Sequence, residues 1–259
     1  MLKVTNAGFG YGNRPLLFSK VSFEVKAGET LAILGANGIG KTTLLRCIMR
    51  FLVLKEGKIE IDGAEAKHMD QKRFWRDISY VPQAKRLVFG YPAVDMVVMG
   101  LSQNISIGRT PRCEDYDRAY ALLEKFGLGS IANQSCNTLS GGQLQMVLIA
   151  RALIKGPGLL IMDEPESNLD MKNQLIVLNT IERLAASNLA VVINTHYPEH
   201  ALRCAHKTLL MGKEGYLFGD TREVITEDHI REYFEIDSQI KQIEKNGRWY
   251  DSIIPIDIL

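Results

Sequence analysis

The first 30 positions alternate between apolar and polar side chains and are broken by turn residues: Leu2 to Thr5, then Gly8, Gly10 and Gly12, then Val21-Ser-Phe-Glu-Val25 closed by Ala27-Gly28. A period of two with short turns predicts an antiparallel sheet. Thr30 to Leu34 is apolar without alternation, runs into a glycine-rich stretch and is followed by helical spacing from Lys41 to about Phe51. A buried parallel strand that opens a crossover helix has this pattern. Lys58-Ile-Glu-Ile61 before Asp62-Gly63 predicts another strand and turn, and Ile78 to Val81 a short strand stopped by Pro82.

From about Ala93 to Ala152 the strand pattern vanishes, and Tyr116, Ala119, Leu122, Leu123 and Phe126 recur at intervals of three and four. This predicts a helical insertion. Strand-helix alternation resumes with Leu159 to Met162, a long helix from about Leu169 to Ala186 and a strand from Ala190 to Asn194. Such alternation argues for an α/β core with a parallel sheet. The tail holds a hairpin from Leu209 to Phe218 around Gly212 and Gly215, a helix from Glu227 to Phe234, and two last strands about Asn246-Gly247.

Composition narrows the class. The 259 residues are 46% hydrophobic and 24% charged, which excludes disordered and collagen-like chains. Lys and Arg number 31 against 30 Asp and Glu, so charge gives no reason to expect nucleic acid as a partner. No apolar run reaches the ~18 residues of a spanning helix. The N-terminus MLKVTNAGFGYG lacks the apolar stretch of a signal peptide, so a cytoplasmic protein is expected, with any membrane association peripheral. Cys47, Cys113, Cys136 and Cys204 lie far apart without zinc-finger spacing, and the expectation is reduced, mostly buried thiols.

Three stretches carry chemistry. Gly35-Ala-Asn37-Gly38-Ile-Gly40-Lys41-Thr42 fits GxxxxGK[ST] between a buried strand and a helix. Its glycines let backbone N–H groups crowd around phosphate oxygens, Lys41 can reach the β and γ phosphates, and Thr42 can ligate Mg2+. Leu159-Leu-Ile-Met-Asp163-Glu164 places two carboxylates at the C-terminal end of a buried strand, where ligands sit in open α/β sheets. Asp163 is placed to hold Mg2+, and Glu164 to orient or deprotonate the attacking water. Leu139-Ser140-Gly141-Gly142-Gln143 opens a helix; alone, it reads as a good cap that is also a potential anion site.

In this order the three stretches resemble the ATP-binding cassette (ABC) ATPases. The resemblance covers about Leu2 to Phe218. Gln83, in Tyr-Val-Pro-Gln, matches the family's Q-loop glutamine, which touches Mg2+ and the attacking water. His196, in Asn-Thr-His, matches the switch histidine on the γ-phosphate; Ser167-Asn-Leu-Asp170 matches the D-loop; Tyr11 matches the aromatic residue that stacks on adenine. Taken singly, these would read as a surface-loop glutamine, a strand-end histidine, a helix cap and a turn aromatic. Their order and spacing reverse that reading. Two departures stand out: Glu166 replaces a customary small hydroxyl residue, and Leu144 a common basic one.

The resemblance implies an α/β P-loop NTPase core with an antiparallel β subdomain and a helical subdomain. Expected boundaries are 1–225 for the ABC ATPase domain, with about 87–152 helical, and 226–259 for a C-terminal extension packed on the core. It also implies a head-to-tail dimer in which each ATP lies between Gly35–Thr43 of one copy and Ser140, Gly141 and Gly142 of the other, with Gln143 and Asp170 adjoining. Membrane permease subunits are the implied partners, with a substrate-binding protein engaged indirectly, at the cytoplasmic face of the plasma membrane. Phe89, Tyr91, Pro92, Val94, Met96, Val97, Val98 and Met99 read equally as their docking surface or as helical core. The stretch Val81 to Gly100 and the tail Thr208 to Ile225 resemble metal-chelate importers for iron complexes, haem and cobalamin, with a molybdate or tungstate branch. The alternative is a non-transport ABC ATPase such as one for cluster assembly. A phosphate-loop GTPase would need an NKxD motif, which is missing.

Overall fold

The computed structural model describes residues 1–83, 90–104, 110–213 and 215–259. Along the chain run β1 (Leu2–Phe9), β2 (Phe18–Val25), β3 (Thr30–Gly35), α1 (Lys41–Ile48), β4 (Glu56–Ile61), β5 (Ala64–Glu65), α2 (Gln71–Asp77) and β6 (Ile78–Val81). Then come α3 (Ala93–Val98), α4 (Cys113–Lys125), α5 (Gly141–Leu153), β7 (Leu159–Asp163), α6 (Met171–Ala186), β8 (Ala190–Asn194) and α7 (Pro198–Cys204). The chain closes with β9 (Lys207–Met211), β10 (Tyr216–Asp220), α8 (Thr221–Val224), α9 (Glu227–Phe234), β11 (Ile236–Lys245) and β12 (Arg248–Ile258). Two compact units divide it: Met1–Met69 with Leu178–Leu259, and Asp70–Val177.

The first unit holds two sheets. β2, β1, β4 and β5 pair antiparallel in that order, as the early alternation predicts. β3 runs parallel to β8 on one side and β9 on the other, and β10 returns antiparallel to β9. Every residue of β3 and β8 is buried, the mark of strands covered on both faces. Tyr216 ties the sheets together: its hydroxyl accepts from Ser22 N (3.0 Å) and donates to Lys20 O (3.1 Å), while Phe218 lies 6.1 Å from Phe23. The β11–β12 hairpin is fastened by Glu199, which accepts from Ile253 N (2.6 Å), and by Arg248 on Glu182 (2.8 Å).

α1 stops short of the expected Phe51. Arg50 turns left-handed (φ 63°) and donates to Met69 O at 3.0 Å, leaving Phe51 exposed outside the helix.

In the second unit β6 and β7 pair in parallel, and α3 packs on α4 and α5. α5 is buried nearly all round, and a capping box starts it: Gln143 N–H donates to Ser140 Oγ (3.3 Å) and Ser140 N–H to Gln143 Oε1 (3.0 Å). The structure decides most of the Tyr91–Met99 surface in favour of core: Val94, Met96, Val97 and Val98 are buried, because every residue of α3 but Asp95 is apolar. Pro92 is half-buried, Tyr91 and Met99 are exposed, and Phe89 lies outside the described residues. Cys47, Cys136 and Cys204 are buried free thiols, and Cys113 is exposed. Among the described residues no helix is long and apolar enough to cross a membrane.

Candidate active site

β3 delivers the chain to a loop that only glycine can make. Gly35, Gly38 and Gly40 have φ of 139°, 81° and 111°, and a Cβ on Gly35 would sit 2.3 Å from Met211 O. α1 then starts without a side-chain cap or an acidic residue in its first turn, leaving backbone N–H groups to face an anion. Lys41 is 5% exposed, and its ammonium donates to Gly35 O (2.7 Å) and Ala36 O (2.9 Å), curled back over the loop. Asn37, at the loop tip, is exposed. Thr42 Oγ1 accepts from Asn194 Nδ2 at 3.5 Å, and Thr43 Oγ1 lies 3.2 Å from the hydroxyl of Tyr11. Tyr11 is 46% exposed and set edge-on against Phe9, with its ring available for stacking.

Strand register explains the position of His196. Ile33 of β3 pairs with Asn194 of β8, so two residues further on Gly35 and His196 leave the sheet at the same C-terminal edge. That edge is where α/β folds place ligands.

The second unit repeats this logic. Val81 of β6 pairs with Met162 of β7, so Gln83 and Glu164 emerge side by side, and Gln83 Nε2 donates to Glu164 Oε2 at 3.2 Å. Tyr80 donates to Asp163 Oδ2 at 3.5 Å. Glu164 is left-handed (φ 49°) and opens a turn closed by Ser167 N–H to Glu164 O (3.1 Å). Ser167 Oγ donates to the same Oε2 at 3.1 Å. Ser140 and Gly141 are exposed at the start of α5, with Gly142 buried beneath them and Gln143 half-buried. Asp170 caps α6, accepting from Asn173 N (2.9 Å) and Asn173 Nδ2 (2.8 Å), and the Asn173 backbone N–H holds its carboxyl below the usual carboxylate range. The helix cap and the residue expected in the D-loop are thus the same one.

Each unit therefore gathers its own set: Tyr11, Gly35–Thr43 and His196 in the first, Gln83, Ser140–Gln143, Asp163, Glu164 and Asp170 in the second. Sequence reading missed Asn194 on Thr42, Tyr80 on Asp163 and the Ser167 hydroxyl on Glu164. Asn194 carried one signal, a polar residue ending an all-apolar strand; Tyr80 on Asp163 depends on how distant segments meet, and Ser167 on Glu164 depends on the left-handed turn at Glu164.

A glycine loop cupping an anion site, followed by a strand that ends in paired carboxylates, defines a phosphate-loop nucleotide hydrolase. Residues 18–167 match the ABC transporter family, and the chain belongs to it. The chain is 35% identical over 256 residues to the molybdate import ATP-binding protein MolC of Haemophilus influenzae, covering 98% of this chain and 96% of the relative. A probable iron chelatin transport ATP-binding protein of Helicobacter pylori is 33% identical over 238 residues, 91% of this chain and 93% of its own. Among solved structures, an inward-facing conformation described as a metal-chelate type ABC transporter superposes with a TM-score of 0.87 at 35% identity, covering 98% of this chain and 97% of that one. The chain is an ATPase of the transport class.

Proposed function

We propose that the chain powers a membrane importer for a metal chelate or a metal oxyanion, working as a head-to-tail dimer around two ATP molecules. The observation that carries this reading is the Glu164 carboxylate at the end of β7, held by Gln83 from the end of β6. It is a candidate base already tied to the glutamine that the family resemblance places on Mg2+ and the attacking water. The likeness to import proteins along nearly the whole chain supports the importer class.

The residues supply the chemistry as follows. Lys41 exchanges its two carbonyl acceptors for phosphate oxygens, and the first N–H groups of α1 bind the same phosphates. Tyr11 stacks on the adenine, and His196 contacts the γ-phosphate. Glu164 orients the attacking water and takes up its proton. Ser140, Gly141 and Gly142 of a second copy close over that phosphate. Thr42, Gln83 and Asp163 offer hydroxyl, amide and carboxylate oxygens, which fits Mg2+, an ion that takes few protein ligands beside phosphate and water. A Mg2+ ion held there would neutralise charge on the phosphate oxygens. Permease subunits dock from the membrane, with a substrate-binding protein delivering cargo, and the chain sits peripherally on the cytoplasmic face.

Glu164→Gln tests the base. It should lower ATP turnover by roughly 10²–10⁴-fold while ATP binding persists and an ATP-dependent dimer accumulates in light scattering. Hydrolysis at the wild-type rate sinks the reading. Deleting the gene and measuring cellular iron, cobalt, molybdenum and tungsten under limitation tests the cargo class. Loss of one element, restored by the wild-type gene but not by Glu164→Gln, names it; no change in any of them removes the metal reading.

A further inference from the structure

Glu164 is held in a conformation that its own backbone disfavours. Its φ of 49° lies in the left-handed region, which a residue with a Cβ keeps only where its surroundings impose it. Two restraints come from Ser167. Its N–H closes the turn on Glu164 O, and its hydroxyl donates to the carboxylate oxygen Oε2, the atom that also accepts from Gln83. The segment that follows Ser167 packs under the signature glycines. A Cβ on Gly141 would lie 3.3 Å from Leu169, and one on Gly142 2.1 Å from Asn173 Oδ1.

We propose that Ser167 is a positioning residue for Glu164: its hydroxyl fixes the carboxylate's rotation so that the group meets the attacking water in one orientation. The proposal rests on the reading of Glu164 as the base. The backbone N–H alone closes the turn, so the hydroxyl's separate work is aiming the carboxylate. Leu169 and Asn173, which follow Ser167 in the chain, lie against Gly141 and Gly142 at the start of α5.

Ser167→Ala keeps the turn's backbone bond and removes only the hydroxyl. Steady-state hydrolysis by the full chain should show kcat reduced roughly three- to tenfold, the factor expected for one hydrogen bond, with KM for ATP unchanged within about twofold. Ser167→Thr, which keeps a hydroxyl on the same carbon, should restore kcat. In a Glu164→Gln background Ser167→Ala should leave the residual rate unchanged, because the group it aims is gone. The proposal falls if Ser167→Ala retains wild-type kcat, if only KM rises, if Ser167→Thr is as slow as Ser167→Ala, or if Ser167→Ala slows Glu164→Gln by the same factor. Wild-type turnover in Glu164→Gln alone would sink the base reading itself; an inactive Glu164→Gln with a fully active Ser167→Ala would sink only the positioning role.

Discussion

Gly35, Gly38 and Gly40 in the first unit and Glu164 in the second all adopt positive φ, but by opposite means. The phosphate loop does so with residues that have no Cβ, so the conformation carries no side-chain penalty and the backbone itself is the binding surface. Glu164 does so with a full side chain, and bonds from Gln83 and Ser167 to its carboxylate keep it in place. The reason lies in the task. A phosphate is recognised by N–H groups, which any backbone supplies, whereas moving a proton needs a carboxylate, which only a side chain supplies. The phosphate loop can therefore be built without side-chain strain, whereas the turn at Glu164 carries it.

Putting a Cβ into the phosphate loop should break this comparison most severely. In Gly35→Ala the new atom meets Met211 O at 2.3 Å and Ile39 Cγ2 at 3.3 Å while φ stays at 139°. Backbone strain and overlap together should cost roughly 2–6 kcal/mol, seen as a lowered urea midpoint and loss of ATP binding. An Ala variant that binds ATP at wild-type affinity would show that the loop can open without harm.

At Glu164 the preference should invert. Glu164→Ala and Glu164→Gly lose the same bonds to Gln83 and Ser167, and differ only by a Cβ in the left-handed region. The Gly variant should be more stable by about 1 kcal/mol, although both are inactive. Equal stability would mean that the turn after β7 relaxes once the carboxylate is removed.

Much of this was legible along the chain because it is local. The all-apolar run of β3, the helix Glu227–Phe234 and the last hairpin about Asn246-Gly247 each follow from periodicity and turn residues within a dozen positions. The phosphate loop is legible for the same reason. α2 escaped notice because Phe74 is its one buried residue, too few for a periodic pattern; its signal was the cap, Asp70, which accepts from Lys72 and Arg73. α7 was marked only by Pro198 at its start. The apolar content of α3 was legible, but its burial against α4 and α5 was not, since composition cannot distinguish a docking face from a core. The bonds that restrain Glu164 join the ends of two strands and a turn, which periodicity does not connect.

Lys155 gives the gentlest test of whether side chains hold the second unit. Its ammonium donates to Trp75 O and to Ile78 O, the latter at 2.7 Å, bridging the end of α2 to the start of β6. Burial pushes its pKa down to about 8, with Asp77 opposing. Unfolded, a lysine titrates near 10.4, so between about pH 8 and that value the unfolded chain binds more protons, and this group's contribution to stability rises with pH. Below pH 8 both states are protonated, and the cost of burying the charge is constant. Lys155→Met removes the titration. The melting temperature of wild type relative to Lys155→Met should therefore rise between pH 8 and pH 10, by roughly 1–3 °C for a partly exposed group in a chain of this size. A flat difference would mean that the two carbonyls keep the ammonium charged throughout, making Lys155 a fixed bracket of the second unit as Lys41 brackets the carbonyls of Gly35 and Ala36 in the first.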